Sequence, residues 1–251
     1  MTYATLVVER ADGICTVSPA RPDLGHVING PFLAELTEVV RGCEAVDGPS
    51  VLVLTGGDTV FCGGGDFQAV AESDAVLDPA PLYDLWRRLA SGPFVSVAVT
   101  RGRVNAGGVG LAAACDMVLA DHSASFALSE LLFGLFPACV LPFLIRRVGE
   151  QRAHYLTLST QPVNAAQALA WGLVDGVEDA VDGLLRKHLL RLRRLDKAAI
   201  GRYKLYRHDL SALVDAARQP ALEANRVMFS DPATRAVIRR YVTEQKFPWE
   251  N

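Results

Sequence analysis

Two glycine-rich segments, Phe61-Cys62-Gly63-Gly64-Gly65-Asp66-Phe67 and Asn105-Ala106-Gly107-Gly108-Val109-Gly110-Leu111, each follow a predicted strand and open a predicted helix. Glycine permits sharp turns and close approach by a ligand, and the first N–H groups of a helix have no partner within it. Two such groups converging on one point form an oxyanion hole, which stabilises an enolate or a tetrahedral oxyanion. A plainer reading is that the glycines only let helices pack closely on strands. Neither segment places Gly-x-Gly-x-x-Gly after the first strand, and no Gly-Lys-Ser/Thr is present, so nucleotide binding is a poor fit.

The flanking pattern argues for an α/β fold. Thr5–Val8 and Ile14–Val17 are β-rich runs around Ala11-Asp12-Gly13, which predicts an opening hairpin. A helix follows, capped by Asn29 or Gly30, with Pro31 in its first turn and Phe32, Leu33, Leu36, Val39, Val40 and Cys43 at helical spacing. Val51–Leu54 reads as a buried strand, Leu82, Leu85, Trp86 and Leu89 as a helical stripe, and Phe94–Val99 as another strand. Asn164 and Gln167 make a capping-box-like helix start, and Trp171-Gly172 an end. From about Val181 strand signals vanish, so residues 1–190 read as the core and 191–251 as a helical C-terminal region.

Half of the 251 residues are hydrophobic, enough for a sizeable core, and a net charge of −3 gives no chain-wide reason to expect nucleic acid or an anionic membrane. The cysteines (Cys15, Cys43, Cys62, Cys115, Cys139) are odd in number and lack a Cys-x-x-Cys pair. With no apolar leader at the N-terminus, they point to reduced thiols and a cytoplasmic location. Proline and glycine interrupt the longest uncharged run, Leu131 to Ile145, so no membrane span is expected. The five histidines are scattered without zinc-ligand spacing, so no metal is expected; no Gly-x-Ser-x-Gly elbow suggests a serine hydrolase.

The ordered motifs resemble the crotonase (enoyl-CoA hydratase/isomerase) family across essentially the whole chain. Cys62 to Phe67 is similar to the family's first oxyanion loop, and Arg101-Gly102 through Cys115-Asp116 to its second. Phe126-Ala127-Leu128-Ser129-Glu130, Gly134 with Pro137, and Ala168-x-x-Trp171-Gly172-Leu173-Val174 match later landmarks in order. The resemblance implies a spiral of ββα turns with a C-terminal helical region that makes trimers, sometimes paired into hexamers.

It also implies roles. The oxyanion donors fall on the N–H groups of Gly65 and Gly107, and Glu130 takes the place of the acid/base glutamate. By residue type alone, Glu130 just after a capping Ser129 reads first as a favourable helix-start charge, and Asp66 reads as a helix N-cap before it reads as chemistry. Hydratases of the family commonly carry a second glutamate where this chain has Gly110, which puts simple enoyl-CoA hydration in doubt and is expected to leave room for a branched β-carbon.

Within the family, Pro81 to Trp86, Val104 to Gly108, Ser129 to Leu135, Pro137 to Pro142, Leu189 to Leu195 and Phe247-Pro248-Trp249-Glu250 resemble the dehydratases of polyketide β-branching cassettes. That similarity implies dehydration of 3-hydroxy-3-methylglutaryl groups on an acyl carrier protein to 3-methylglutaconyl-carrier protein. The phosphopantetheine thioester then belongs to the substrate, no separate cofactor is needed, and acyl-CoA is the alternative carrier. Candidates to bind the distal carboxylate are Arg88, Tyr83 and Lys204. The six Lys/Arg residues from Arg186 to Lys197 read either as a solvated basic face or as a dock for an acidic carrier. Decarboxylase, isomerase or thioester hydrolase chemistry remains an alternative on the same oxyanion site, as does a non-catalytic trimeric carrier-binding protein.

Overall fold

The computed structural model describes residues 2–20, 25–73 and 77–250. The chain opens with the expected hairpin, β1 (Leu6–Ala11) and β2 (Ile14–Pro19), turning at Asp12 and Gly13, both in the left-handed region. Helix α1 (Gly30–Glu44) follows, capped by Asn29, whose Oδ1 accepts from Phe32 N at 3.2 Å. Its Leu36, Val39, Val40 and Cys43 are buried, which is the stripe expected from their spacing.

A repeated unit then builds the body. In each unit a long strand is followed by a very short strand set in a second sheet, and then by helix. The first comprises β3 (Val51–Thr55), β4 (Val60–Cys62), α2 (Phe67–Glu72) and α3 (Ala80–Ser91). The second comprises β5 (Val95–Thr100), β6 (Arg103–Asn105) and α4 (Gly107–Ala114). The third comprises β7 (Met117–Ala120), β8 (Ser125–Ala127), a 3-10 turn at Glu130–Phe133 and α5 (Leu141–Val148). After α6 (Glu150–Ser159) come β9 (Val163–Asn164), α7 (Ala165–Trp171) and β10 (Gly176–Val177).

The long strands form a six-stranded sheet in the order β1-β2-β3-β5-β7-β10, and the short ones a four-stranded sheet in the order β4-β6-β8-β9. Within the large sheet, the pairs from β2 onward are parallel. Both faces of β3 and β5 are covered, so Val51–Leu54 and Val95–Thr100 are buried throughout and read as unbroken apolar runs. One face meets α1, α3 and α4 through residues such as Leu36, Leu52, Trp86 and Ala98. The other meets Val181, Leu192 and Ile200 through Val51, Val53, Val95, Val97 and Val99.

The remaining helices are α8 (Val181–Leu192), α9 (Lys197–Asp209), α10 (Leu213–Ala216), α11 (Arg218–Ser230) and α12 (Pro232–Glu244). The boundary placed at 190/191 falls inside α8, which packs its buried residues against the large sheet. The last helices fold back over the body. Phe133 of the 3-10 turn packs edge-on against Phe67 at 5.2 Å and Tyr241 at 4.9 Å between ring centroids, and Phe247 adds a further ring. Among the described residues no helix is long and apolar enough to cross a membrane.

Candidate active site

The short strands of the second sheet deliver three chemically distinctive segments to one place. β4 ends at Cys62 and leads into Gly63–Asp66; β6 ends at Asn105 and leads into Ala106-Gly107; β8 ends at Ala127 and leads into Ser129-Glu130. β6 lies between β4 and β8 and pairs with each in parallel, so the three exits share one edge.

The first turn is held by Ile28. Its N–H donates to Gly64 O at 2.8 Å and its carbonyl accepts from Asp66 N at 3.3 Å, a parallel bridge centred on Gly65. In such a bridge the bonds come from the residues flanking Gly65, so its own N–H faces the opposite edge. Asp66 serves as the N-cap of α2, accepting from Ala69 N at 3.0 Å, and also accepts from Asn29 Nδ2 at 3.3 Å. That structural work occupies both carboxylate oxygens.

The second turn is strained. Ala106 sits at φ 50° and ψ −118°, a region that a Cβ-bearing residue rarely adopts, and Ala106 N donates to Ala127 O at 2.9 Å. A conformation of this kind costs on the order of 1–3 kcal/mol and persists where surrounding contacts enforce it. Its consequence is to present the Gly107 N–H, at the first position of α4, where no intrahelical acceptor exists. The two turns touch: a Cβ built on Gly107 would lie 3.9 Å from Gly65 N, and one built on Gly64 would lie 2.9 Å from the Ala106 Cβ. Among the described residues neither the Gly65 nor the Gly107 N–H has a protein acceptor.

Gly65 and Gly107 both line a cavity of about 860 Å³. It runs along α1 past Leu33 and Thr37 to the exposed Arg41, and α11 contributes Asn225 and Phe229 to its wall. The cations in its lining are Arg41 and Arg235. Arg235 donates to the carbonyls of Phe229, Val70 and Ser73.

Glu130 begins the 3-10 turn but does not itself line that cavity. Its Oε2 is shielded from solvent and has no hydrogen-bond partner. Burial pushes the carboxyl up to about 7, against the opposing pull of backbone N–H bonds at Glu130 and Ser129. The aromatic rings of Phe67, Tyr241 and Phe247 pack on Phe133 of the same turn. Ser129 does not cap it; its hydroxyl turns instead to Asn105. A carboxyl with a value near neutrality can take and return a proton at physiological pH.

Four substrate-binding expectations need correction. Tyr83 is fully buried, its hydroxyl donating to Val214 O at 2.6 Å, because it packs inward from α3 against Phe143. Arg88 pairs with Glu44 at 2.6 Å at the C-terminal ends of α3 and α1. Lys204 is buried beneath α9, where its ammonium meets Asp116 at 2.6 Å and the carbonyls of Leu89 and Phe94. None of the three reaches the cavity. Nor does Gly110 open space for substrate: a Cβ there would lie 2.4 Å from the Trp86 ring, so the indole already fills the room that glycine leaves.

The basic run is also relocated. Arg186, Lys187, Arg191, Arg193 and Arg194 are exposed on or just after α8, on the sheet face opposite α1 and the cavity, while Lys197 is bound to Cys43 O at 2.7 Å and Gly48 O at 2.9 Å. In the sequence Asn105 reads only as a motif member and Ser129 as a helix cap, whereas the structure pairs their side chains. The signal available was a polar side chain immediately before each functional turn.

The model of the enoyl-CoA hydratase/isomerase family matches residues 9–251. The chain belongs to that family. It is 46% identical to the bacillaene synthase dehydratase PksH of Bacillus subtilis (strain 168), over 100% of this chain and 98% of that protein. The solved structure of the Bacillus subtilis polyketide biosynthesis enoyl-CoA hydratase pksH superposes with a TM-score of 0.95, covering 98% of this chain and all of the other. An enoyl-CoA hydratase from Mycobacterium avium subsp. paratuberculosis K-10 superposes at 0.85 with 26% identity, each chain covered in full. The repeated ββα units are therefore those of the crotonase fold, and the protein is an enzyme of the hydratase/dehydratase type.

Proposed function

We propose that this enzyme dehydrates 3-hydroxy-3-methylglutaryl-acyl carrier protein to 3-methylglutaconyl-acyl carrier protein during polyketide β-branching. The observation that carries the reading is the pair of touching turns whose Gly65 and Gly107 amides are unspent, with Glu130, whose shielded Oε2 has no partner, on the turn that leaves the same sheet edge. The full-length similarity to a bacillaene synthase dehydratase supplies the substrate class.

In this mechanism the thioester oxygen accepts from Gly65 N–H and Gly107 N–H, and Glu130 removes the C2 proton to leave an enolate. As the enolate collapses, C2=C3 forms and the C3–O bond breaks. Glu130 returns its proton to the departing hydroxide, so water leaves and the carboxylate is restored. The phosphopantetheine arm lies along α1, where the twelve steps from the N-cap Asn29 to Arg41 rise roughly 18 Å, comparable to the extended arm. Arg41, at the far end, is the cation nearest the expected phosphate. The exposed Tyr203 and Tyr206 of α9, with Leu210 at its C-cap, leave an apolar patch that a second copy could cover in the homotrimer or hexamer this reading expects; the expected location is the cytoplasm.

Mass spectrometry of 3-hydroxy-3-methylglutaryl-carrier protein after incubation tests the reading. Loss of water is the expected outcome; loss of carbon dioxide, release of the acyl group or an unchanged mass would each overturn it. Glu130→Gln should lower kcat by roughly a thousandfold, within the range for loss of a general acid–base group. Near-normal turnover by that variant would remove Glu130 from the mechanism.

A further inference from the structure

The chemistry proposed above needs a carboxyl held at a fixed place relative to two amides that belong to different turns, and one side chain touches all three segments. Asn105 ends β6, directly before Ala106-Gly107. Its Nδ2 lies 3.1 Å from Ser129 Oγ and reaches Gly63 O at 3.5 Å, while Ser129 Oγ lies 3.3 Å from Asn105 Oδ1. Gly63 begins the turn that carries Gly65, and Ser129 directly precedes Glu130. Both Asn105 and Ser129 are half-buried.

Backbone pairing alone does not fix this arrangement. The β6–β8 ladder ends at Asn105 and Ala127, three residues before Glu130, and the 3-10 turn lacks a side-chain cap. The Oε2 atom has no protein partner to anchor it. Backbone bonds within the turn, Leu132 N to Ser129 O at 3.1 Å and Leu135 N to Glu130 O at 3.1 Å, and the ring packing of Phe133 hold its body, while the side-chain bond from Ser129 to Asn105 ties its entry to the strand that carries Gly107. A polar pair is costly to bury unless each group is satisfied, so satisfying it across a strand gap gives the turn one preferred position.

We propose that the Asn105 carboxamide and the Ser129 hydroxyl form a positioning bridge that fixes Glu130 relative to the Gly65 and Gly107 amides. The inference rests on the dehydratase reading for its kinetic arm only. Neither residue touches the reacting atoms; both act through the placement of Glu130 and the turns.

The test compares Asn105→Leu, Ser129→Ala and the double variant with the unaltered enzyme, using 3-hydroxy-3-methylglutaryl-carrier protein as probe. Each single change should lower kcat by about 30- to 100-fold, the penalty of a misplacement of about 1 Å, with KM within about twofold. The double variant should be no slower than the slower single, since both remove one shared contact. Ser129→Thr, which keeps the hydroxyl, should recover most of the rate. A kcat within threefold of the unaltered enzyme, multiplicative losses, or a Thr variant no better than Ala would overturn the bridge.

A second arm needs no turnover. In a crystal structure of Ser129→Ala, which removes one oxygen and endangers folding least, the Glu130 carboxyl should shift or become multiply placed relative to Gly107 N. An unchanged, singly placed Glu130 overturns the proposal. If the unaltered enzyme leaves the probe intact, the dehydratase reading fails while this arm still decides the bridge.

Discussion

Beneath α9 the Lys204 ammonium meets Asp116 Oδ2 at 2.6 Å and two backbone carbonyls, whereas at the 3-10 turn the Glu130 Oε2 meets nothing. Both side chains are withdrawn from water, yet only the first is compensated. Burial pulls the lysine down from its ordinary value while Asp116 opposes that pull; burial pushes the glutamate up and only backbone N–H bonds resist. A buried charge with a full set of partners belongs to the scaffold. A buried acid left without one, on a turn that leaves the same sheet edge as the two glycine turns, has the properties that the proposed acid/base role requires.

The largest effect should come from breaking the compensated region. Lys204→Met leaves Asp116 without its cation and the Leu89 and Phe94 carbonyls without their ammonium. Loss of one partner from a buried pair costs about 3–5 kcal/mol. Chemical denaturation should show that loss while kcat of the folded enzyme stays near normal. A destabilisation below about 1 kcal/mol would place the pair with ordinary surface bridges.

Gly107→Ala addresses the other region. The added Cβ meets the flexible end of Ile28 at 3.1 Å and lies 3.9 Å from Gly65 N, so it fits at small structural cost but projects between the two amides. Turnover should fall about 100-fold, as for loss of an oxyanion donor, with the melting temperature unchanged. Unimpaired turnover would show that these amides do not share a substrate oxygen.

How much of this was legible in the sequence follows the range of the interactions involved. The hairpin, α1 with its Asn29 cap, and the two glycine turns are local, and residue type with spacing was enough to find them. The second sheet was not found, because β4, β6 and β8 have three residues each, too few to show a period of two. Lys204 looked like a ligand for a carboxylate and proved to hold one of the protein's own, 88 positions away in sequence. Residue type gives the appetite of a side chain; only the fold decides what satisfies it.

The uncompensated acid also has a thermodynamic signature. The folded-state value of Glu130, about 7, lies above the ordinary 4.5. Its contribution to stability is therefore fully present below about 4.5 and is lost as pH rises through 7. Glu130→Gln has no such titration, so its stability relative to the unaltered enzyme should grow between those limits and then level off. At about 1.4 kcal/mol per unit, discounted for relaxation, the gain at pH 8 is about 2 kcal/mol. A difference independent of pH would mean that Glu130 is not desolvated.

The smallest effect concerns the boundary between the two regions, where Gly110 faces Trp86. Gly110→Ala drives a methyl to 2.4 Å from the ring edge, an overpacking worth about 2 kcal/mol, offset by about 1 kcal/mol from replacing glycine within a helix. The net loss should be about 1 kcal/mol. In a Trp86→Phe background the colliding ring edge is gone, so the same substitution should become stabilising, and denaturant midpoints across the four proteins read the reversal directly. If the sign stays the same, the glycine is there for some reason other than the indole. A reversal would show that a core aromatic, and not a substrate branch, dictates the side chain at 110.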